Sequence, residues 1–415
     1  MKDRFIGVKD ALDTVVEAFY DQFGRVALLI DEYDSPVLHA LHTPSLAVSI
    51  REIIKDFSTG AKAQQKKIKM VFVTGVSAFS KAGLSSGLNN LKNLTMLEEF
   101  SSICGYTDLE VEEYFSKFIR KWSLLQGKPY EEVRQTLKQW YNGYCFKENT
   151  ETVYSPFSFI SSIDIQELGN FWFESATPQF LLEEVQKLER REECRFLAQE
   201  NFVGSMDTLQ TFEIEHIPLM ALLFQMGYLT LDTYDVDAKI YRLKYPNLEV
   251  MTAFHKHLFI AFTKMVEMSL DALIIRLFAA LNGEDIPALV SCLETVFSNI
   301  PYQIREESEK YYHSIVQALF VAAGLCSQAE YSTALGRADL VIELPSVLYV
   351  LEIKVQGSAK RALEQIEQKR YARSFDHKQK NIHLVGLSFS RKRGGGLHLL
   401  TYATKKLKVV KHPIR

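Results

Sequence analysis

The sequence predicts an α/β protein in three sections: an N-terminal α/β module at residues 1–105, a mostly helical region at 106–304 and a C-terminal α/β domain at 305–415. Three observations predict this division: apolar runs typical of buried parallel strands near the start, helix-start signals in the middle, and strand-like runs flanked by helical patterns at the end. With 415 residues, 47% of them hydrophobic and 24% charged, the chain has the length and composition of a globular protein of two or three domains.

The N-terminal section combines two apolar strands with a helix between them. Residues 25–30 and 69–74 are almost entirely apolar, as in buried parallel strands, and residues 46–67 have apolar side chains at helical spacing. In the middle section, Ser155 and Thr177 each precede a proline, which is a typical start of a helix.

An alternating hairpin pattern and a series of strand-like runs predict the remaining strands. In the middle section, residues 228–234 and 239–244 alternate on either side of a polar turn, which predicts a β-hairpin. The last section predicts an α-β-β-β-α-β-β order, with elements at 306–324, 329–333, 338–344, 347–355, 358–375, 382–387 and 397–404. This order indicates a compact α/β domain with its own core.

Charge is distributed unevenly along the chain. The last section has 17 Lys+Arg against 7 Asp+Glu from Tyr311 to Arg415, a net charge of +10, so the total of −3 leaves −13 for the rest. An excess of this size suggests that the basic section meets a polyanion. A solvated Lys/Arg surface is the alternative that charge alone leaves open.

Neither a membrane span nor a secretory signal is indicated. The longest apolar runs fall far short of the roughly 20 residues needed to cross a bilayer, and the N-terminus alternates charged with apolar residues. The five cysteines are dispersed and form no CxxC: Cys104, Cys145, Cys194, Cys292 and Cys326. This pattern is typical of reduced thiols, so we expect a cytoplasmic protein without sulfur-bound metal.

Two carboxylates, Asp31 and Glu32, follow the first apolar strand. In P-loop ATPases such a strand end places an Asp on the Mg²⁺ shell and a Glu beside the attacking water. The partner motif GxxxxGK[ST] is absent from the sequence, and the nearest approach, which begins at Gly75, lacks the second glycine and the Ser/Thr. We therefore do not expect this chain alone to hydrolyse ATP, and ATP is a doubtful cofactor.

The last section carries three ionisable residues between apolar neighbours: Asp339, Glu352 and Lys354. A tight turn between two strands would bring Asp339 near Glu352, and Lys354 shares a face with Glu352 because side chains two apart point the same way. Two carboxylates with a backbone carbonyl form a hard oxygen site suited to Mg²⁺ or Mn²⁺, and a lysine beside it can orient the attacking water. A hairpin with a surface salt bridge is the structural alternative.

The spacing Asp-x12-Glu-x-Lys is the D…ExK pattern of the PD-(D/E)XK nuclease superfamily. The pattern is loose by itself, but a preceding helix, a hairpin, a following helix and a basic domain surround it here. The following helix also carries Gln365 and Tyr371, which resemble the Gln/Tyr element that supports the site in many members.

With these residues in view, the whole chain resembles the bacterial and archaeal family that couples an AAA-ATPase-like domain to a C-terminal PD-(D/E)XK nuclease domain. The matching stretches follow the family order at 29–36, 73–77, 87–91, 104–107, 140–144, 224–229, 245–247, 336–339 and 352–354. The resemblance implies a partial P-loop-type, AAA-like module, a helical middle region and a restriction-endonuclease-like α/β domain.

The resemblance also implies roles for individual residues. Asp31 and Glu32 match the Walker B pair, although the family's phosphate-binding segment lies upstream of that strand and this chain begins too late to include it. In the nuclease domain the implied catalytic residues are Asp339, Glu352, Lys354 and Gln365, with Asp339 and Glu352 holding Mg²⁺ or Mn²⁺ and with Glu330, Arg337 and Tyr371 as auxiliaries.

These residues lead to one expected function and two alternatives. The leading hypothesis is a Mg²⁺-dependent nuclease acting on DNA, attached to a truncated or degenerate ATPase-like module. One alternative is a non-catalytic module that binds nucleic acid or a protein. The other is an ATP-dependent switch whose phosphate loop lies upstream of Met1. Substrate structure, DNA versus RNA, and assembly into an oligomer stay open.

Overall fold

The structure is a computed structural model that describes residues 7–41, 43–77, 88, 91–172, 202–210, 218–300, 308–325, 327–333, 336–369, 371, 375, 380–391 and 398–407. Among these, the residues up to Asn247 form one compact unit and those from Leu248 onward form a second. The helices that begin at Leu248 are thus grouped with the C-terminal sheet. The three-section division at 105 and 304 stays a prediction.

The first unit begins with two parallel strands packed against helices. Strands β1 (Val26–Ile30) and β2 (Ile68–Val73) pair in parallel. Three helices accompany them: α1 (Val8–Phe23), α2 (Ser35–His39) and α3 (Pro44–Ala63). Leu12 and Val16 of α1 pack with Ala61 of α3 and Ile68 of β2 in one apolar cluster. Both predicted strands and the helix between them are confirmed.

The burial expected of these two strands is wrong for one face. Leu29 is 69% exposed, and Met70 and Phe72 are exposed beside it. The cause is geometric: alternate residues of each strand face α1 and α3, and nothing in the part of the chain that the structure describes covers the other set. Helices on one face leave a parallel sheet half covered.

The rest of the first unit is mostly helical. It begins with α4 (Asp108–Glu110), a π-helical turn (Val111–Phe115), α5 (Ser116–Gln126) and α6 (Tyr130–Tyr141). Two short strands, β3 (Asn142–Tyr144) and β4 (Val153–Tyr154), and helix α7 (Pro156–Ile165) follow. Ser155 precedes α7, whose first residue is proline, as the sequence predicts. The second predicted start, at Thr177, lies outside the described residues.

A small antiparallel sheet ends the first unit. The strands are β5 (Phe202–Ser205), β6 (Thr230–Asp235) and β7 (Ile240–Lys244), and their order in the sheet is β5-β7-β6. The flanking helices are α8 (Met206–Gln210) and α9 (Leu219–Gln225). The predicted hairpin is β6–β7 and is confirmed. Strand β5 was not predicted, because its four residues offer too short a pattern.

The second unit places helices around one mixed five-stranded sheet. Helices α10 to α14 span Leu248–Thr263, Glu267–Asn282, Ile286–Asn299, Glu309–Ala322 and Ala359–Gln368. Strands β8 to β12 span Ser327–Thr333, Gly336–Glu343, Val347–Val355, Asn381–Arg391 and His398–Leu407, in the order β12-β11-β10-β9-β8. The predicted α-β-β-β-α-β-β order is confirmed.

The central strand β10 is the core of this unit. It pairs antiparallel with β9 and parallel with β11, and α14 makes the crossover between the two parallel strands. Its residues from Val347 to Ile353 are buried, as expected of a strand covered on both faces. Helix α14 ends seven residues before the predicted end at 375, and the side chains of Tyr371 and Phe375 pack into the core beyond it.

None of the helices among the described residues is both long enough and apolar enough to cross a membrane.

Candidate active site

The β9–β10 hairpin brings Asp339 and Glu352 to the same level of the sheet. The last registered pair of this hairpin is Leu340 with Leu351, and the two carboxylate residues follow directly beyond it. The Asp339 side chain accepts a hydrogen bond from the backbone N–H of Ile353, with 2.7 Å between Oδ2 and N. The hairpin turn that the sequence predicts therefore gathers both candidate metal ligands.

Glu352 is a buried carboxylate whose two oxygens differ in their hydrogen-bond partners. The residue is 1% exposed. Its Oε1 accepts from Nε2 of Gln365 and from Nζ of Lys354, the latter at 3.2 Å. Its Oε2 is buried, and none of the groups that the structure describes hydrogen-bonds to it. The described residues thus hold one oxygen in place and leave the other without a partner.

The pKa of both carboxyl groups is raised, chiefly by burial. Burial, followed by the negative charge of Asp339, raises the pKa of Glu352 to about 7. Burial also raises the pKa of Asp339, and the hydrogen bond from Ile353 opposes this increase in part. Two carboxylates in a dry site repel one another unless a cation or a proton stands between them.

Lys354 stands on the same face as Glu352, as side-chain alternation predicts. Its Nζ lies 3.0 Å from Oε1 of Glu309 as well as 3.2 Å from Oε1 of Glu352. Burial would lower the pKa of Lys354, but the hydrogen bond to Glu309 and the charge of Glu352 outweigh it and raise the pKa. The lysine is therefore charged at neutral pH and held between two carboxylates.

Helix α13 contributes two residues that the predicted site did not include. Glu309 binds Lys354, and Nε2 of His313 lies 2.5 Å from the backbone oxygen of Asp339. The two residues are four apart, so they share one helix face. That i, i+4 spacing was the available signal, but the side chains that this face meets depend on how α13 packs against the sheet.

The remaining predicted residues fall into two groups. Gln365 reaches Glu352 from α14, and Tyr371 is buried near it, where burial and then the charge of Glu352 raise the tyrosine pKa. The backbones of Glu330 and Arg337 lie on β8 and β9, and their side chains are outside the described part of the structure. The catalytic assignments stay predictions.

The donor set fits a hard divalent cation in part. Among the described residues there is no group of three or more His, Cys, Asp and Glu side chains arranged to hold a metal ion. Asp339 and Glu352 supply two carboxylates, and Glu352 Oε2 is a buried oxygen that lacks a partner within the described part of the chain. Mg²⁺ is usually held by one or two protein carboxylates with water and substrate oxygens completing the shell, so two suffice.

The second predicted pair, Asp31 and Glu32, lies at the exposed end of β1. Oγ1 of Thr74, which follows β2, donates a hydrogen bond to Asp31 and accepts one from the N–H of Glu32 at 3.3 Å. Glu32 has a left-handed backbone with φ of 50°. The two strand ends meet as parallel pairing predicts, and a nucleotide role for the pair stays a prediction.

Asp34 is a further buried carboxylate of this module, which the sequence pattern did not single out. It is fully buried and accepts hydrogen bonds from the N–H of Val76 at 3.1 Å and from both the N–H and Oγ of Ser77 at 2.5 Å. These bonds tie the segment after β1 to the segment after β2. Three donors satisfy the charge, which is typical of a structural anchor.

Comparison with known proteins matches both ends of the chain. The family model described as Predicted AAA-ATPase matches residues 6–85, and the one for the PD-(D/E)XK nuclease superfamily matches residues 307–395. A protein of Azotobacter chroococcum mcd 1 described as "Uncharacterized protein in vnfD 5'region" is 33% identical over 380 residues, which cover 88% of this chain and 70% of that protein. No solved structure matches.

The second match covers the strands and helices that carry Asp339, Glu352, Lys354 and Gln365. The first covers β1 and β2, with Asp31 and Glu32 between them. The chain therefore belongs to the family that joins an AAA-ATPase-like domain to a C-terminal PD-(D/E)XK nuclease superfamily domain.

Proposed function

We propose that this protein is a metal-dependent nuclease that hydrolyses phosphodiester bonds of DNA. The observation that most supports the proposal is the environment of Glu352, which is buried beside Asp339 with one oxygen held by Gln365 and Lys354 and the other without a partner among the described residues. A structural ion pair would use both oxygens, because leaving a buried acceptor unsatisfied is unfavourable by roughly 1–3 kcal/mol. A site that binds a cation leaves one for it.

Asp339 and Glu352 would hold Mg²⁺ or Mn²⁺. When bound, the cation supplies a Lewis acid for the scissile phosphate and lowers the pKa of a coordinated water. Gln365 fixes the rotamer of Glu352, and His313 together with the N–H of Ile353 fixes the backbone and carboxylate of Asp339. The two ligands are therefore oriented before substrate arrives.

Lys354 would act on the water that attacks the phosphate. Its charged ammonium donates two of its three N–H groups to Glu309 and Glu352, which leaves one donor on the face where the two carboxylates lie. A charged donor there orients the lone pair of the attacking water and stabilises the negative charge that develops on phosphorus-bound oxygens.

The charge of the last section supports a nucleic-acid substrate. From Tyr311 to Arg415, 17 Lys+Arg against 7 Asp+Glu give a net charge of +10 that a polyanionic backbone would neutralise.

The test is cleavage of supercoiled plasmid and of single-stranded DNA by the full chain with Mg²⁺, Mn²⁺ or EDTA. We expect cleavage with metal and none with EDTA, and at least a roughly 100-fold loss in Asp339→Asn and in Glu352→Gln, since metal ligands matter more than the outer partners whose loss typically gives 10–100-fold. Glu364→Gln on α14 is the matched control, because it removes an exposed carboxylate from the same domain.

Equal background in the wild type and Asp339→Asn would refute the proposal. Salt-sensitive DNA binding without metal-dependent cleavage would then favour a non-catalytic nucleic-acid-binding module, the alternative that the +10 section also supports.

A further inference from the structure

Strand β11 carries a glycine directly beside Glu352. In the parallel pairing of β10 with β11, Glu352 is registered with Gly386. A Cβ added to Gly386 would lie 2.3 Å from the backbone oxygen of Ala359, 2.5 Å from the backbone nitrogen of Leu363 and 3.0 Å from Cβ of Ala362. All three atoms belong to α14, and two of them are backbone atoms, which cannot rotate away as a side chain could.

Helix α14 is shaped for this close approach. Ala359 and Ala362 are buried and small, and Ile366 follows one turn later in the core cluster beneath the helix. Gln365 lies three residues after Ala362, so it projects from the same region of the helix surface. The depth at which α14 sits on β11 therefore sets how far Gln365 stands from Glu352.

We propose that Gly386 is a positioning residue of the nuclease site. Because Gly386 has no side chain, the backbone of α14 packs directly on β11 at the level of Glu352. This position of α14 lets Nε2 of Gln365 donate to Oε1 of Glu352, which leaves Oε2 oriented toward the cation. The inference rests on the proposed function for its catalytic consequence, whereas its structural part concerns only the contact between Gln365 and Glu352.

A side chain at position 386 would displace the helix. A carbon and a backbone oxygen in ordinary contact stand at about 3.4 Å or more, so the 2.3 Å contact requires a shift of about 1 Å. A shift of about 1 Å in groups that set catalytic geometry can lower a rate by about 100-fold. Gln365, at the end of the displaced segment, would then no longer reach Glu352.

The activity test is a double-mutant cycle in the full chain, with Gly386→Ala, Gln365→Ala and the double variant. We expect each single variant to lose about 10- to 100-fold in metal-dependent cleavage, and Gly386→Ala to add less than about threefold once Gln365 is gone, because residues that act through one contact are not additive. Binding of DNA in EDTA is expected to stay within about twofold of wild type for all three.

Val385→Ala is the control for lost packing. Val385 is fully buried and precedes Gly386 on β11, so its side chain points to the opposite face of the sheet from α14. It should lower the melting temperature without the loss of cleavage. If Gly386→Ala lowers cleavage by the same factor with and without Gln365, the glycine acts elsewhere and the inference is overturned.

The second readout does not depend on activity. Metal-free crystal structures of the wild type and Gly386→Ala should show the Gln365–Glu352 hydrogen bond present in the first and absent in the second. A retained hydrogen bond overturns the inference. If wild type does not cleave DNA, the proposed function fails and this comparison alone decides the inference.

A second variant covers the case in which Gly386→Ala does not fold. Ala362→Val fills the same gap from the helix side, because the Cβ of Ala362 lies 3.0 Å from the point that a Cβ added to Gly386 would occupy. Ala362→Val is combined with Gln365→Ala in the same way, and its metal-free structure is compared with wild type. We expect loss of the Gln365–Glu352 hydrogen bond, and a retained hydrogen bond overturns the inference.

Discussion

In the proposed site, some side chains around Glu352 bind the cation and others act on the attacking water. Asp339 and Glu352 are the carboxylates, and Lys354 is an ammonium that reaches Glu352 but carries no lone pair for a metal. Cation binding and chemistry should therefore separate by mutation. A structural ion pair between Glu352 and Lys354 would give no such separation.

We predict that Lys354→Met keeps the cation and loses the reaction. Binding of Mn²⁺ at 100 times its dissociation constant stabilises the folded state by about 2.7 kcal/mol, visible as a rise in melting temperature. That rise should persist in Lys354→Met and vanish in Glu352→Gln, while both lose DNA cleavage. Differential scanning fluorimetry with and without Mn²⁺ measures it, and Glu364→Gln serves again as the control. A rise that disappears in Lys354→Met as well would contradict the division of roles.

Several residues of the site could be predicted because they follow from local pattern. Asp339 and Glu352 meet because alternating strands and a tight turn fix their register, and Lys354 shares a face with Glu352 for the same reason. Glu309 and Gly386 could not be identified this way. The role of Glu309 depends on the packing of α13, and a glycine within a strand indicates only that something approaches closely.

At the scale of whole elements, one turn fastens a helical pair to the sheet of the second unit. Glu284 lies between α11 and α12, and its carboxylate accepts hydrogen bonds from Nδ2 of Asn381 at 3.1 Å, Nε2 of His383 at 2.5 Å and Nζ of Lys406. Tyr349 of β10 reinforces the junction, since its hydroxyl donates to the backbone oxygen of Leu281 at 2.5 Å. The first strand residues of β11 and the end of β12 are thus tied to one carboxylate.

We predict that this junction loses its contribution in acid. The hydrogen bonds from Lys406 and then His383 lower the pKa of Glu284 to about 2. Because the folded-state pKa lies below the unfolded value near 4.5, the stabilisation is complete above the unfolded pKa and is lost as the pH falls from there through about 2. The side chain is 26% exposed, and solvent screening leaves about 1 kcal/mol of an otherwise larger effect.

The measurement is urea unfolding of Glu284→Gln against wild type between pH 7 and pH 3. The variant should be less stable by about 1 kcal/mol at pH 7, and the difference should shrink steadily below pH 4.5. Glu294→Gln removes an exposed carboxylate from the neighbouring helix α12 and should change neither value. A difference that is the same at every pH would show that Glu284 acts through packing and not through its charge.

Elements with long, strongly patterned sequences were predicted, and short or context-dependent ones were not. The central strand β10 matches its predicted bounds of 347–355, because five consecutive apolar residues from Val347 to Leu351, followed by Ile353 and Val355, make a clear strand pattern. Strand β5 escaped prediction, since its pairing with β7 depends on residues some forty positions later. Helix α14 ends at Gln368, and Tyr371 and Phe375 beyond it pack into the core through tertiary contacts that the local pattern does not contain.

At the scale of the whole molecule, the opposite charges of the two ends predict where nucleic acid binds. The section from Tyr311 onward has a net charge of +10 and the rest has −13. Lys360 and Arg361 are exposed at the start of α14, and Arg361 lies one turn before Gln365 on the same helix face. A duplex whose phosphate enters the site would therefore place neighbouring phosphates near this pair.

We predict that Lys360→Ala with Arg361→Ala weakens DNA binding and makes it less sensitive to salt. Each phosphate contact contributes about 0.9 to the slope of log K against log salt, so removing two should reduce the slope by nearly 2. Binding is measured by fluorescence anisotropy in EDTA from 50 to 200 mM salt, which keeps cleavage out of the measurement. The matched control is Lys62→Ala with Lys66→Ala, an exposed basic pair in the last turn of α3 and just beyond it, in the acidic part of the chain. The control should leave the slope unchanged. If both double variants reduce the salt slope equally, DNA binding depends on the total charge of the molecule. That outcome would contradict the assignment of the basic domain as the binding surface.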